Sequence, residues 1–136
     1  MSLATDQNES TTSDADVISL TIPASMRFVR LARIAVASIA RRRGLSIRAI
    51  DDLRLAVDEA FSLLLGDEDR VGSVEVTFEV DPHELIVAMV QRLPDGPVAA
   101  SEEAVMAFEI VIADLVDRFE ANTEHGVVQF SKLLKK

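Results

Sequence analysis

Residues 46–66 read SIRAIDDLRLAVDEAFSLLLG and predict a long amphipathic helix. Ser46 is a favourable N-cap, because its hydroxyl can accept a hydrogen bond from a backbone N–H of the first turn, and Gly66 is a typical helix terminator. Between these residues the apolar side chains recur at intervals of three and four, at Ile47, Ile50, Leu53, Val57, Ala60 and Leu64. A helix with one apolar stripe has to cover another layer of structure, so this stretch predicts a layered fold.

The segments around this helix predict the chain order βααββαβ. Strands are predicted over residues 17–22, 71–80, 85–90 and 126–133, and two further helices over 26–43 and 105–119. The two middle strands are joined by Asp81-Pro82-His83-Glu84, a turn by composition, and predict a hairpin. Because each helix has a single apolar stripe, we predict an α/β (α+β) two-layer sandwich in which three helices cover one face of a mixed sheet.

The composition indicates one small domain with an acidic N-terminal tail. The 136 residues are 49% apolar and 27% charged, which fits a single domain over residues 16–136. Residues 1–15, MSLATDQNESTTSDA, are polar and acidic, and we expect them to form a flexible tail. No apolar run is long enough for a secretion signal or a membrane span, so we expect a cytoplasmic protein.

Charge and residue usage exclude several classes of function. The chain has 14 Lys and Arg against 23 Asp and Glu, a net charge of −9, so phosphate backbones and anionic lipids repel it as a whole. The absence of Cys excludes disulfides, cysteine nucleophiles and thiolate metal sites. The acidic residues follow no recognised calcium-loop spacing. We therefore expect no direct contact with nucleic acid or membrane, and no metal site.

One segment has the opposite charge. Residues 26–54 contain eight Arg and two acids, a balance of +6, whereas the rest of the chain has six basic and 21 acidic residues, a balance of −15. Arg27, Arg30 and Arg33 recur every three residues of the predicted first helix and can act together on one partner. Because Arg is enriched at interface hot spots, they predict a docking face for another protein. The alternative is that their stems cover the edge of the core and their guanidinium groups pair with nearby acids.

Four stretches of the chain resemble a known protein family. They are residues 22–33 (IPASMRFVRLAR), 39–46 (IARRRGLS), 50–60 (IDDLRLAVDEA) and 113–119 (ADLVDRF). Together they resemble the stress-response and sporulation anti-sigma factors of bacteria, which are serine-kinase members of the GHKL (Bergerat, histidine-kinase-like ATPase) fold. The resemblance implies that fold, a homodimer, and two protein partners: a sigma factor and an anti-anti-sigma factor with a STAS domain.

The resemblance also implies three nucleotide-binding motifs, and this sequence departs from each. In the family's Glu-Ala-x-x-Asn motif the Glu activates the attacking hydroxyl and the Asn holds Mg²⁺; here Glu59 is present, but Leu63 stands at the Asn position and has no oxygen for a hard cation. Gln91 and Leu93 stand where an Asp-x-Gly motif recognises adenine and allows close backbone approach. Residues 105–108, Val-Met-Ala-Phe, stand at the Gly-rich lid. We therefore interpret Glu59 as a relic and predict that ATP and Mg²⁺ no longer bind.

Three functions remain open from the sequence. The first is an anti-sigma-like regulator without ATP binding or kinase activity, and by resemblance Arg33 aligns with an Arg that family members use to engage both the sigma factor and its antagonist. The second is an active ATP- and Mg²⁺-dependent serine kinase of its anti-anti-sigma partner. The third is a non-catalytic sensor that binds another ligand in the old ATP cavity, which requires that Leu63, Leu93 and Phe108 do not fill that cavity.

Overall fold

The computed structural model describes residues 16–134 as one sheet of five strands with three helices. The elements in chain order are β1 (Asp16–Pro23), α1 (Val29–Arg42), α2 (Ile47–Leu65), β2 (Ser73–Val80), β3 (Glu84–Arg92), α3 (Glu102–Ala113), β4 (Arg118–Asn122) and β5 (Val127–Leu133). This is the predicted order with one strand added, and the α+β architecture is consistent with the fold that the resemblance implies. The predicted tail, residues 1–15, lies outside the described residues.

The sheet has the strand order β1-β2-β3-β5-β4, and every neighbouring pair is antiparallel. The prediction of a mixed sheet is therefore wrong. When one helix joins two strands of a sheet, the second strand runs parallel to the first. Two helices join β1 and β2, so the chain reverses direction once more and β2 runs antiparallel to β1. The predicted hairpin is confirmed: its turn is held by Asp81, whose Oδ1 accepts hydrogen bonds from the N–H groups of His83 and Glu84, both at 2.7 Å.

The predicted third helix is too long at its C-terminal end. Helix α3 starts earlier, where the hydroxyl of Ser101 accepts a hydrogen bond from the Ala104 N–H at 3.1 Å, and it ends at Ala113. Residues 118–122, partly assigned to the helix from their spacing, instead form β4 and pair with β5. Phe119 still meets the ring of Phe108, edge to face with centroids 6.4 Å apart, so a contact between helix and strand replaces the predicted stripe within one helix.

Helix α2 has the predicted bounds and forms the centre of the core. The Ser46 hydroxyl accepts a hydrogen bond from the Ala49 N–H at 3.1 Å, and Gly66 ends the helix with a φ of +64°. Leu63, Leu64 and Leu65 are buried, as a core assignment requires. The apolar side of α2 packs against the inward side chains of the sheet, so its two flanks are left to face α1 and α3.

Helix α1 buries a narrow face made of small side chains. A single 3-10 turn, Met26–Phe28, precedes it, so the predicted helix over residues 26–43 is really two elements. Its buried residues are Val29, Ala32, Val36 and Ala40. Leu31 and Ile34 remain 48% and 53% exposed, so apolar side chains lie among the arginines on its outer surface. Within the described part of the chain, no helix combines the length and the apolar character that a membrane crossing needs.

Candidate functional site

Helix α2 separates two concave surfaces. Asp58 and Glu59 are consecutive on this helix and face opposite flanks: Asp58 accepts a hydrogen bond from Arg33 of α1, whereas Glu59 lines a cleft towards α3. The surface on the α1 side is called here the basic groove, and that on the α3 side the α2–α3 cleft. Each predicted site residue can be placed relative to these two surfaces.

The basic groove is a depression of about 520 Å³ lined by arginines of α1 and α2. Its lining is Arg30, Arg33, Ile34, Ala37, Ser38, Arg41, Arg42 and Arg54. Arg30 and Arg33 were predicted as partner-binding residues; the other three arginines lie in the predicted basic segment but were not selected. Helical spacing could have found Arg41, because it lies three turns after Arg30 on the same side of the helix.

Two of the groove arginines are paired with acids. The Arg33 guanidinium lies 2.9 Å from the Asp58 carboxylate, and each side chain is about one third exposed (33% and 31%). Arg54 lies 3.4 Å from Asp51, one turn earlier on α2. Arg33 therefore follows the alternative interpretation, pairing with a nearby acid, while still lining the groove.

The other three groove arginines present their charge to solvent. Arg30, Arg41 and Arg42 are exposed, and no carboxylate among residues 16–134 lies within ion-pair distance of them. Three exposed guanidinium groups beside the Arg33–Asp58 pair make a surface of positive potential on an otherwise acidic chain. Such a surface fits the bidentate recognition of carboxylates.

Arg27 lies apart from the other two arginines of the predicted docking face. Its Nε donates a hydrogen bond to the Ser25 hydroxyl at 3.3 Å, and its guanidinium lies over the Phe28 ring at 5.4 Å from the centroid. Both contacts hold it at the start of α1, outside the lining of the basic groove. The structure thus brings together Arg30 and Arg33 but not Arg27.

The α2–α3 cleft is an open cavity of about 500 Å³ between α2, the loop after β3, and α3. Glu59, Leu63 and Phe108 all line it, so positions from two of the three nucleotide-binding motifs that the resemblance implies lie in one place. Leu63 and Phe108 form its walls and do not fill it. The cleft therefore meets the spatial requirement for a ligand, although its chemistry differs from that of the family's motifs.

Gln91 has no free polar group to offer a ligand. It is buried; its Nε2 donates a hydrogen bond to the Leu64 carbonyl, and its Oε1 accepts one from the Val98 N–H at 3.0 Å. Gly126 packs directly behind it, with a φ of +71°, and a Cβ built there would lie 2.8 Å from the Gln91 Oε1. Gln91 therefore ties the end of α2 to the loop after β3, and it does not line the cleft.

Leu93 also lies outside the cleft. It lines a separate shallow depression with Pro94 and Val98, on the other side of the same loop. A Cβ built on Gly72 would lie 3.0 Å from the Leu93 Cδ2, so the Leu93 side chain packs tightly on that glycine. Leu93 thus anchors the loop against the neighbouring strand region.

The polar groups of the cleft are few, and several of them already bond within the chain. Leu63 supplies no oxygen, and Arg70 is the single cation of the lining, with its Nε already donating to the Leu65 carbonyl at 2.9 Å. Asp67 accepts a hydrogen bond from the Ser62 hydroxyl at 2.8 Å. Over residues 16–134 there is no cluster of three His, Asp or Glu that could hold a metal ion.

Comparisons with known proteins give one consistent name. No model of a protein family matches the chain. It is similar to the serine-protein kinase RsbW of Listeria monocytogenes, with 37% identity over 78 residues that cover 54% of this chain and 50% of the relative. Over more of its length it is similar to RsbW of Oceanobacillus iheyensis, with 24% identity and 85% of each protein covered, and of Halalkalibacterium halodurans, with 29% identity, 83% of this chain and 80% of the relative. The matched segment thus spans about half the length of the Listeria relative.

Proposed function

We propose that this chain, a homologue of the RsbW serine-protein kinases, is an anti-sigma factor that acts by protein binding alone. A sigma factor binds at the basic groove and is held away from RNA polymerase. An anti-anti-sigma protein with a STAS domain competes for the same groove and releases the sigma factor. Transcription is then controlled by which partner is more abundant and binds more tightly, because the two cannot occupy one surface together.

The observation that supports this proposal most strongly is the set of unpaired arginines in the groove. Arg30, Arg41 and Arg42 are exposed and have no acid partner among the described residues. The residues outside 26–54 have a balance of −15, so the positive charge of this surface favours an acidic partner. Ile34 and Ala37 lie among them and add the apolar contact that an interface centre needs.

In the Arg33–Asp58 pair, a carboxylate of the partner protein can replace Asp58 as the acceptor for the Arg33 guanidinium. The pair is one third exposed, so breaking it costs at most about 1 kcal/mol. A carboxylate of the partner can therefore replace Asp58 as the acceptor for Arg33 with little loss. Until then Asp58 holds the Arg33 guanidinium in a defined position beside the groove, which reduces the side-chain ordering that binding requires.

We further propose that ATP binding and kinase activity are absent. A micromolar site corresponds to roughly 8 kcal/mol, and each missing polar contact removes on the order of 1–3 kcal/mol. Leu63 offers no metal ligand, and Leu93 lies outside the cleft. The amide nitrogen and the amide oxygen of Gln91 each already form a hydrogen bond within the chain. These three departures lower the affinity for ATP·Mg²⁺ to the millimolar range or below, and they leave Glu59 without a substrate to activate.

A homodimer is part of the proposal, through the sheet and the region of the first helix. Among residues 16–134, the helices cover one face of the sheet and leave the other face open. On that open face Ile86, Ala88 and Val90 are only partly buried. These side chains provide an apolar centre for contact with a second copy, and sedimentation of the chain with Ala88→Glu tests it, since a charge there should dissociate the dimer.

The docking role of the basic groove is tested with a matched pair of charge reversals. The sigma factor that co-purifies with the full chain is identified, purified and titrated with each variant. Arg30→Glu with Arg41→Glu should weaken the complex by about 100-fold or more, because it sets like charges against an acidic partner surface. Arg43→Glu with Arg48→Glu changes the net charge equally at two exposed arginines that do not line the groove, and should leave the affinity nearly unchanged. An equal loss in both variants, or no loss in the first, would contradict the proposal.

A further inference from the structure

Helix α3 has an apolar surface that no described residue covers. Met106, Ile110 and Val111 are 62%, 72% and 42% exposed, although the helix contains only twelve residues. Single exposed apolar residues are ordinary, whereas a contiguous apolar patch marks a binding surface. At 100° per residue these three side chains lie on one side of α3, opposite the face that buries Ile112.

This apolar surface continues into the α2–α3 cleft. Val111, Ala107 and Phe108 line the cleft from α3, and Leu63 lines it from α2. The volume of about 500 Å³ is in the range of sites that enclose ligand groups. The cleft and the exposed side of α3 therefore form one apolar groove between two helices, defined here as the α3 groove.

The rim of the α3 groove is acidic. Glu59 and Asp67 stand on the α2 side, and Glu103 lies on the exposed side of α3 near Met106. The only cation of the lining is Arg70, whose Nε is engaged by the Leu65 carbonyl. The balance of charge excludes anionic ligands and favours a partner that brings Lys or Arg.

We propose that the α3 groove binds a cationic amphipathic helix of a partner protein. Apolar side chains at i and i+4 of that helix pack on Ile110 and Val111, and its Lys or Arg side chains reach Glu59 and Glu103. The groove is lined by two helices and the loop after β3, and its lining contains no strand residue that an extended peptide could pair with, so the helix-in-groove mode is the one that fits. This surface is separate from the basic groove, and the proposal does not depend on sigma-factor binding.

The probe is a labelled peptide of about 18 residues, built from Leu and Lys at amphipathic helical spacing, which is long enough to form a helix. Fluorescence anisotropy with the full chain should give a dissociation constant in the range of about 1–10 μM. A peptide of the same composition with Leu at alternating positions forms no helical stripe and should bind about 10-fold more weakly or worse.

Two exposed isoleucines provide a matched pair of variants. Ile110→Gln should weaken peptide binding by about 10-fold, because it removes an apolar anchor from the groove without adding charge. Ile47→Gln makes the same change at a residue that is 80% exposed at the start of α2, outside the groove, and should have no effect. Glu103→Gln should reduce the salt dependence of binding, whereas Glu124→Gln, on the 3-10 turn before β5, should not.

Several results would overturn the proposal. They are equal losses for Ile110→Gln and Ile47→Gln, equal affinity for the two peptides, or displacement of the peptide by submillimolar ATP·Mg²⁺. Loss of self-association in Ile110→Gln would assign the groove to a second copy of the chain. Sigma-factor affinity measured on the same variants should be unchanged, which separates a failure here from a failure of the proposed anti-sigma role.

Discussion

The basic groove and the α2–α3 cleft share helix α2 as a wall but differ in how their polar side chains are used. In the cleft, Arg70 bonds to a backbone carbonyl and Ser62 bonds to Asp67, so these polar groups are engaged in local structure. In the groove, Arg30 and Arg41 are exposed and have no acid partner in the described part of the chain. This difference supports the proposal that the groove arginines bind an acidic partner, whereas the bonded polar groups of the cleft stabilise the local fold.

The largest expected effect is on the cleft side, at the glycine behind Gln91. Gly126→Ala should lower the free energy of unfolding by about 3 kcal/mol, because it adds strain at a φ of +71° and places a methyl 2.8 Å from the Gln91 Oε1. Gly96→Ala is the control: its φ is +88° but the space around it is open, so only the backbone cost of about 1 kcal/mol is expected. Urea denaturation measures both, and equal losses would show that Gln91 is not held tightly.

On the groove side, the next largest effect is expected for Arg33. Arg33→Ala should weaken binding of the sigma factor or the anti-anti-sigma protein by about 2 kcal/mol, roughly 30-fold, as the loss of a hot-spot Arg does. The free energy of unfolding should fall by no more than about 1 kcal/mol, because the Asp58 ion pair is partly exposed. Titration calorimetry and urea denaturation give the two values. A variant that fails to fold, or one that binds normally, would remove Arg33 from the interface.

Asp58→Ala should change partner binding less than Arg33→Ala does. It deletes the same ion pair as Arg33→Ala, so the two variants should lose the same small stability of about 1 kcal/mol or less. Binding should diverge, because Asp58→Ala leaves the Arg33 guanidinium available and removes a negative charge beside the groove. Stopped-flow association with the sigma factor should be a few-fold faster at low salt. If association slows as in Arg33→Ala, Asp58 itself contacts the partner.

The sequence predicts the local features of this molecule well. The bounds of α2 follow from Ser46 and Gly66, and the hairpin follows from the turn at Asp81, because caps and turns depend on residues close in the chain. Strand β4 was missed because its pairing with β5 is a tertiary contact, and helical spacing at Phe119 suggested otherwise. The direction of the strands depends on how two successive helices return the chain, which local patterns do not encode.

The candidate sites show the same limit. Arg30, Arg33, Glu59 and Leu63 could be selected from the sequence, from charge pattern or from resemblance, and each lines the predicted surface. That Gln91 bonds to Leu64 and Val98 could not be foreseen, since it depends on how a loop folds over a helix end. The position of Arg27 outside the basic groove could not be foreseen either. Its contacts with Ser25 and Phe28 arise because a 3-10 turn stands where a helical start was predicted.

The smallest expected effect is that of ATP·Mg²⁺ on stability. A ligand at about 100 times its dissociation constant raises the free energy of unfolding by about 2.7 kcal/mol, which shifts the melting temperature by several degrees. About 1 mM ATP with Mg²⁺ should leave the melting temperature of this chain nearly unchanged, because we propose an affinity for ATP in the millimolar range or weaker. A clear upward shift at submillimolar ATP would mean that the cleft is still a nucleotide site.

The most direct test of the proposed anti-sigma role is the dissociation constant of the sigma-factor complex, measured with and without ATP·Mg²⁺. We expect the same constant under both conditions, because in this proposal the arginines of the basic groove bind the sigma factor and no nucleotide is needed. Loss of the complex in the Arg30→Glu, Arg41→Glu double variant under both conditions would complete this result. A complex that tightens by about 10-fold or more when ATP·Mg²⁺ is added would contradict it, since a bound nucleotide would then be coupled to partner binding.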